Sequence, residues 1–318
     1  MELVTIGITS FNAESTIIRA IECAINQDYQ NYEIIVVDDC STDTTTKLIN
    51  EYFKKINNSL RYKLFVHDCN KGPAASRNTI ISNSKGEFII FFDDDDYSYN
   101  NRVRTQIKLL KETQKKIKSD KLFCFASGKK IYNSNYNYSF KAIGSIHIFP
   151  PGDYLLDFLT HNKKVNNIDY GSGTPACSLM ALKKTFLDIG MFDEKLRRVE
   201  DADISIRLTL DGGYLIGTKQ ILFEQFYSIG NDKSPIMNYN SEVSIIEKNK
   251  IKLKRKSMYI YSKYWTKLRY FYFQKKYINC ITILIVIILI NPIYCFSHVR
   301  KTFYRRFMHD KKIAKNEN

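Results

Sequence analysis

The stretch that most constrains the fold is an apolar run that leads directly into four consecutive carboxylates. Phe88 to Phe92 consists only of Phe and Ile, and Asp93 to Asp96 follows at once. A short apolar run between Gly86 and a charged cluster predicts a buried central strand. Open α/β sheets bind ligands at the carboxyl ends of such strands. Because adjacent carboxylates repel one another, we expect a divalent cation to neutralise this cluster.

Oxygen ligands of this kind suit Mn²⁺ or Mg²⁺, and both ions also bind phosphate oxygens. The alternative interpretation is a solvated acidic turn, which is how most charge runs behave. Polar turns seldom follow so apolar a strand, so we favour the metal site.

Strand and helix patterns alternate over the first hundred residues. Strand-like runs at 3–9, 32–37 and 62–67 precede the acidic cluster, with helix-like segments between them. This alternation predicts βαβ units, and therefore an α/β fold with a central, mostly parallel sheet flanked by helices. No G-x-G-x-x-G follows the first strand and no G-x-x-x-x-G-K-[ST] occurs, which argues against dinucleotide oxidoreductases and P-loop kinases.

The positive charge is concentrated in the last part of the chain. Residues 1–247 carry 30 Lys or Arg and 31 Asp or Glu, whereas residues 248–318 carry 18 and 2. The body therefore has no broad nucleic-acid-binding surface. The seven Cys form no C-x-x-C pair, so neither zinc nor a disulfide framework is expected. With no signal peptide before the first strand pattern, we expect a cytoplasmic setting.

Several blocks of sequence, taken together, resemble the inverting glycosyltransferases of family 2. These blocks are Val4 to Asn12, Val36 to Asp43, Asn70 to Asn78, Phe92 to Asp96, Gly190 to Glu194 and Glu200 to Leu208. The resemblance covers roughly residues 1–230. It implies the A-type glycosyltransferase fold, with a Rossmann-like nucleotide half and an acceptor half.

The resemblance also implies a donor site beyond the first two strands. Thr9, Phe11 and Asn12 would line the nucleotide pocket. Asp39 would accept a hydrogen bond from a uracil ring, as a carboxylate can from an imide N–H. Arg77 would meet the base or the diphosphate. The structural alternatives are a helix-capping role for Asp39 and an exposed helix position for Arg77.

The acidic cluster corresponds to the D-x-D motif of the family. Asp93 would face the ribose, Asp94 would also lie at the donor, and Asp95 would bind the metal. Asp96 would be a supporting carboxylate after the motif. A run of four Asp leaves this register open by one residue.

A second chemical centre is implied at Glu200 and Asp201. Asp201 would deprotonate the acceptor hydroxyl for a single displacement that inverts the anomeric carbon, with Glu200 in support. The alternative is that both residues only favour a helix N-terminus. Tyr170 and Ser172 would contact the acceptor.

We predict a catalytic domain at 1–240, with its nucleotide-sugar half at 1–100 and its acceptor half at 101–240. A basic, aromatic and apolar helical tail would occupy 241–318. Within it, Tyr277 to Phe296 is uncharged. We expect the tail to lie on the anionic inner face of the plasma membrane. A single span, or a helical hairpin packed on the catalytic domain or on a second subunit, are the alternatives.

The predicted function is transfer of a sugar from a nucleotide donor to a lipid-linked or cell-surface glycan during polysaccharide biosynthesis. The resemblance to the family implies a UDP-linked donor. The alternative is a non-catalytic nucleotide-sugar-binding or scaffolding protein of the same fold.

Overall fold

The chain folds into two compact units. A computed structural model describes residues 1–56, 61–133, 136–226 and 234–300. The first unit comprises Met1–Tyr132, Asn137–Asp153 and Asn166–Tyr227, and the second comprises Asn133–Tyr136, Tyr154–Val165 and Ser228–Asn318. The second unit thus includes a segment, Tyr154–Val165, from the predicted acceptor half. The functional division at residue 240 stays a prediction.

One mixed sheet dominates the first unit. Its strands are β1 (Val4–Ser10), β2 (Tyr32–Asp38), β3 (Tyr62–Val66), β4 (Phe88–Asp93), β5 (Tyr97–Ser98), β6 (Leu122–Asn133), β7 (Tyr136–Phe140), β8 (Leu179–Leu182) and β9 (Tyr214–Phe226). Their order is β3-β2-β1-β4-β8-β6-β9-β5, and β7 pairs with β6. The first four strands in this order are parallel, as are β6 and β9, whereas β8 runs antiparallel to β4 and β6. The predicted α/β fold with a mostly parallel sheet is confirmed.

The helices are α1 (Ile17–Ile25), α2 (Thr45–Ile56), α3 (Pro73–Asn83), α4 (Arg102–Ile117), α5 (Tyr154–His161), α6 (Lys183–Asp188), α7 (Glu200–Leu210), α8 (Pro235–Lys248), α9 (Lys250–Arg255), α10 (Tyr259–Phe273) and α11 (Tyr277–Ile290). Of these, α5 and α8 to α11 belong to the second unit. Residues 292–300 are also helical. No helix in the described part of the chain is long and apolar enough to cross a membrane.

The central strands are buried on both faces because their sequences are continuous apolar runs. Every residue of β2 is buried, as are the first five residues of β4. Parallel strands covered by helices on both faces show this pattern. In the register, Thr9 lies opposite both Val37 and Asp93, so the carboxyl ends of β1, β2 and β4 coincide. This alignment brings the polar residues that follow these strands to one edge.

A fully buried arginine fixes the end of β4. Arg102 donates hydrogen bonds to the carbonyl oxygens of Phe91 at 2.9 Å and Cys177 at 2.6 Å, and to Ser98 Oγ at 2.8 Å. Its guanidinium lies 4.5 Å from the ring centroid of Phe92. Burial lowers the pKa of Arg102 to about 10, so the group remains charged at neutral pH. Arg102 therefore ties β4 to the segment that precedes β8.

Phe91 tests how far the aromatic packing of β4 stabilises the first unit. Its ring contacts those of Phe186 and Phe192, with centroids 5.5 and 5.8 Å away. We expect Phe91→Ala to lower the free energy of unfolding by about 3–5 kcal/mol. Phe11→Ala is the matched control, because that ring is 47% exposed, and its effect should stay within about 0.5 kcal/mol. Urea denaturation followed by circular dichroism measures both, and equal effects would contradict this account.

Candidate functional site

Asp38, the last residue of β2, and Asp39, which follows it, have different hydrogen-bond partners. Asp38 is fully buried and accepts hydrogen bonds from Ser41 N–H at 3.0 Å, Ser41 Oγ at 2.6 Å and Thr46 Oγ1 at 2.9 Å. Asp43 accepts from the N–H of Thr45 at the start of α2. Asp38 and Asp43 thus hold the loop and the start of α2. Asp39 does not have the helix-capping role that was the alternative for it.

Asp39 is held in one orientation by three donors. Its Oδ1 accepts from His67 Nδ1 at 2.7 Å and from Lys71 N–H at 2.9 Å, and its Oδ2 accepts from Gly72 N–H at 2.7 Å. The other ring nitrogen of His67 lies 3.0 Å from Thr79 Oγ1. Since each carboxylate oxygen can accept two hydrogen bonds, Oδ2 retains one acceptor position. By this count Oδ2 could accept one further hydrogen bond, and the uracil-binding role of Asp39 stays a prediction.

The loop after β1 connects both acidic strand ends. Thr9 Oγ1 lies 3.4 Å from Asp93 Oδ1, and Phe11 N–H donates to Asp94 Oδ2 at 2.9 Å. Asn12 has a left-handed backbone with φ of 49°. The side-chain oxygen of Asn12 accepts a hydrogen bond from Thr42 N–H at 2.8 Å, and the backbone N–H of Asn12 donates to Ser41 Oγ at 2.8 Å. Thr9 at the end of β1, together with Phe11 and Asn12 in the loop that follows, therefore lies between the ends of β2 and β4.

The acidic cluster is partly buried and electrostatically crowded. Burial, together with Asp95 and Asp93, raises the pKa of Asp94 to about 7. Asp96 is 4% exposed, and neither of its carboxylate oxygens has a hydrogen-bond partner among the described residues. Burial, Asp93 and Asp95 raise the pKa of Asp96 well above its ordinary value. A cation would relieve this cluster, so the residues present fit a divalent ion.

The geometry groups three possible metal ligands. Asp93, Asp96 and Cys177 offer ligand atoms that all lie within 4.8 Å of one another. Asp95, the predicted ligand, is not in this group, and its backbone carbonyl accepts from Arg19 Nη2 at 2.6 Å. Burial raises the pKa of the Cys177 thiol well above its ordinary value, which disfavours the thiolate that binds metals. The oxygen ligands of Asp93 and Asp96 are those that suit Mn²⁺ or Mg²⁺.

Arg77 joins the donor-side strands to α7. It is 4% exposed and donates to Glu200 Oε1 at 2.7 Å and to Asp93 Oδ1 at 3.2 Å. Although burial lowers its pKa, the nearby carboxylates Asp93, Glu200 and Asp201 raise the pKa above its ordinary value. Arg77 is therefore a buried bridge and not the exposed helix residue considered as its alternative.

Asp201 lies at the first turn of α7, beside that bridge. Burial and the charge of Glu200 raise the pKa of Asp201 to about 7, against the opposing effect of Arg77. Its Oδ1 accepts from the N–H of Ala202 at 2.7 Å. A carboxylate with a pKa near neutrality is suited to accept a proton and release it again. Thr174 Oγ1, at 3.5 Å from the Asp201 carbonyl, brings the turn before β8 next to this residue.

The two predicted acceptor contacts have different exposures. Tyr170 is 3% exposed, and its ring packs edge-on against Phe149 with centroids 5.3 Å apart. Ser172 is exposed, and its N–H donates to the carbonyl of Lys141 at 3.0 Å. Both acceptor roles stay predictions, and the burial of Tyr170 favours Ser172.

Several residues that organise this site were missed in the sequence. Asn78 Nδ2 donates to Phe192 O at 3.0 Å, and Arg197 donates from Nη1 and Nη2 to Asn70 at 2.6 and 2.8 Å. These contacts fasten the segment before α7 to α3 and to the turn that holds Asp39. His67 had a usable signal, because it follows β3 as the acidic residues follow β2 and β4. Arg197 had none, since it lies in a charged surface segment.

Comparison with known proteins identifies the family of this chain. The sequence model of a family described as "Glycosyl transferase family 2" matches residues 5–183, more than half of the chain. The chain therefore belongs to this family, as the resemblance predicted.

Two curated relatives from Escherichia coli are each named UDP-Glc:alpha-D-GlcNAc-diphosphoundecaprenol beta-1,3-glucosyltransferase. WfaP is 41% identical over 115 residues, covering 36% of this chain and 43% of that protein. WfgD is 30% identical over 186 residues, covering 58% of this chain and 62% of that protein. The matches thus span less than two thirds of either relative.

A solved structure of S. aureus TarS 1–349, in complex with UDP-GlcNAc, has the same fold. The TM-score is 0.58 at 18% identity, over 91% of this chain and 81% of that one. This likeness supports the predicted fold class.

The raised pKa of Asp94 predicts a specific pH dependence of stability in chelator. Asp94 binds its proton more tightly when folded, so its stabilising contribution is present below about pH 4 and is lost as the pH rises to about 7. Asp94→Asn should therefore gain about 1–4 kcal/mol of unfolding free energy relative to the wild type across this range.

Asp43→Asn is the control for this series. Burial raises the pKa of Asp43, but hydrogen bonds from Thr45 lower it, and the pKa stays below its ordinary value. The stabilising contribution of Asp43 is present above its unfolded pKa and is lost as the pH falls. Its effect on stability therefore changes with pH in the opposite direction to that of Asp94. Urea titrations across the pH range measure both variants, and parallel pH profiles for Asp94→Asn and wild type would refute the buried-carboxylate account.

Proposed function

We propose that this chain is a metal-dependent inverting glycosyltransferase that transfers a sugar from a UDP-linked donor to a lipid-linked or polymeric glycan. The observation that carries the proposal is the Arg77 bridge, which joins the donor-side Asp93 to Glu200, the residue before Asp201. The buried guanidinium of Arg77 thus supports both the donor-side carboxylate of Asp93 and the proposed base Asp201, whose pKa is near neutral. The names of WfaP and WfgD, which specify a diphosphoundecaprenol-linked acceptor, support the acceptor class.

The donor's base would be recognised at Asp39. The free acceptor position on Oδ2 matches an imide N–H such as that of uracil. Thr9, Phe11 and Asn12, which contact the ends of β2 and β4, would line the nucleotide pocket. The UDP-GlcNAc complex of TarS, which shares the fold, supports a UDP-linked donor.

In the reaction, Asp201 accepts the proton of the acceptor hydroxyl. The acceptor oxygen forms its bond to the anomeric carbon as the bond to the nucleoside diphosphate breaks, which inverts the configuration. With a pKa of about 7, Asp201 is ionised in a large fraction of molecules at neutral pH and can still release the proton afterwards. Arg77 keeps Glu200 paired. When bound, Mn²⁺ or Mg²⁺ held by the carboxylates of Asp93, Asp96 or Asp95 would neutralise the diphosphate charge.

A lipid-linked acceptor is confined to the bilayer, so we place the enzyme at the inner face of the plasma membrane. There it would act in the synthesis of a cell-surface polysaccharide.

Asp201→Asn tests the base directly. We expect transfer to fall by about two to four orders of magnitude while affinity for the UDP-sugar is retained, because the amide cannot accept the proton. Rates are measured with a lipid-linked acceptor and affinity by UDP-dependent thermal shift. Asp211→Asn, an exposed position at the end of the same helix, is the control and should behave as wild type.

An equal loss of donor affinity in Asp201→Asn would instead reveal a structural role, and an anomer-retaining product by NMR would contradict inversion. A wild-type protein that binds UDP-sugars but transfers to no acceptor would favour the non-catalytic binding protein.

The metal assignment is tested by Asp95→Ala, Asp96→Asn and Cys177→Ser. The increase in UDP-dependent thermal stabilisation on adding Mn²⁺ is measured for each. We expect Cys177→Ser to keep this increase, since hard cations prefer oxygen ligands, and one of the Asp variants to lose it. Loss in Asp95→Ala supports the predicted D-x-D register, and loss in Asp96→Asn supports the grouping seen in the structure. An undiminished Mn²⁺ effect in both Asp variants would exclude this metal site.

A further inference from the structure

Helix α11 is apolar on two opposite sides, and only one of them is packed. Ile283 and Ile287 are buried against a cluster that includes Tyr261 and Trp265 of α10. The other side, here called the outer face, consists of Ile278, Ile281, Ile285, Ile288 and Leu289, which are 82, 60, 55, 43 and 80% exposed. A helix that packs on a core with one side normally carries polar residues on the other. The outer face is therefore unexplained by the packing of this unit.

Exposed apolar side chains also occur beyond α11. Residues 292–300 are helical, and in them Ile293 and Phe296 are 85 and 73% exposed, whereas Cys295 is buried. Several large apolar side chains exposed on one face of a helix, as on α11, mark an interaction surface. A helix of 14 residues is about 21 Å long, against a hydrocarbon thickness of about 30 Å, so α11 suits the plane of a membrane and not a crossing of it.

Positively charged residues stand at both ends of this apolar segment. Residues 248–300 contain twelve Lys or Arg and no Asp or Glu. Lys275 and Lys276 are both exposed and stand immediately before α11, and the exposed Arg300 lies at the other end. Cations at a helix N-terminus oppose its dipole, so the two lysines do not stabilise α11 itself. Their position suits contact with anionic headgroups beside an inserted apolar face.

We propose that the outer face of α11, flanked by Lys275 and Lys276, docks on an anionic lipid bilayer with the helix axis parallel to the surface. The apolar side chains enter the acyl region, and the lysines remain at headgroup depth. The inference rests on the proposed function only in that a lipid-linked acceptor requires the enzyme at a membrane.

A second copy of the chain is a poorer occupant than anionic lipid. In a two-fold symmetric pair the same patch serves both partners. Two outer faces brought together would also bring their flanking Lys275 and Lys276 into one interface, and like charges across an interface are repulsive. Anionic lipid supplies the complementary charge and an apolar phase together.

The test uses the full chain and sedimentation with vesicles of phosphatidylcholine, with or without phosphatidylglycerol. We expect Ile281→Gln/Leu289→Gln to reduce partitioning onto anionic vesicles by about tenfold or more, because apolar burial is lost. Ile146→Gln/Leu187→Gln, at exposed positions of the first unit, is the matched control and should bind as wild type.

The charge requirement is tested by Lys275→Gln/Lys276→Gln. This variant should also bind about tenfold more weakly, whereas Lys115→Gln/Lys116→Gln on α4, with the same change in net charge, should bind nearly as wild type. High salt should weaken the binding of the wild type without abolishing it.

Three results would overturn the proposal. The first is unchanged vesicle binding by Ile281→Gln/Leu289→Gln, and the second is equal binding to neutral and anionic vesicles. The third is a wild-type protein that does not bind vesicles and is a dimer by light scattering, where Ile281→Gln/Leu289→Gln abolishes the dimer. That result would assign the outer face to a second copy. UDP-dependent thermal shift, measured without vesicles, should be the same in all variants. Its absence in the wild type would contradict the proposed function while leaving the vesicle results to stand.

Discussion

The guanidinium of Arg77 is shared between a carboxylate at the end of β4 and another at the start of α7, which are 107 positions apart in the chain (200 − 93). Burying an arginine or a carboxylate alone is costly, and each compensates the other here. Asp93, at the end of β4, and Glu200, at the start of α7, can lie close together because Arg77 is between them. Loss of Arg77 would leave both carboxylates without that compensating charge and would release α7 from the donor-side strands.

The site also carries more negative charge than Arg77 can balance. Asp94, Asp96 and Asp201 all have raised pKa values, chiefly because of burial. The fold tolerates this because these groups can bind protons, or in the donor cluster a cation, and because Arg102 secures the backbone of β4 beneath them. In the proposed function, the site for the metal diphosphate and the site that removes a proton would share one electrostatic environment.

Much of the fold could be predicted because its strands are continuous apolar runs that can be recognised locally. The runs that form β2 and β4 both end in carboxylates, as the sequence shows. Local sequence could not show that Asp38 and Asp39 have different hydrogen-bond partners. Those partners, such as Thr46 for Asp38 and Gly72 for Asp39, are set by tertiary structure. Proximity of Cys177 to the acidic cluster is likewise a product of the β8 position. The placement of α5 in the second unit depends on non-local packing that no periodicity reveals.

The three donors on Asp39 have a consequence for nucleotide choice. His67 and the backbone N–H groups of Lys71 and Gly72 prevent the carboxylate from turning, and Arg197 anchors the turn that supplies those amides. In the proposed role, a cytosine ring would present a lone pair at the position where uracil presents an N–H. A carboxylate free to rotate could turn away from that lone pair, but one held by three hydrogen bonds must meet it directly. The rigidity of Asp39 would thus turn a hydrogen bond into a means of rejecting the wrong base.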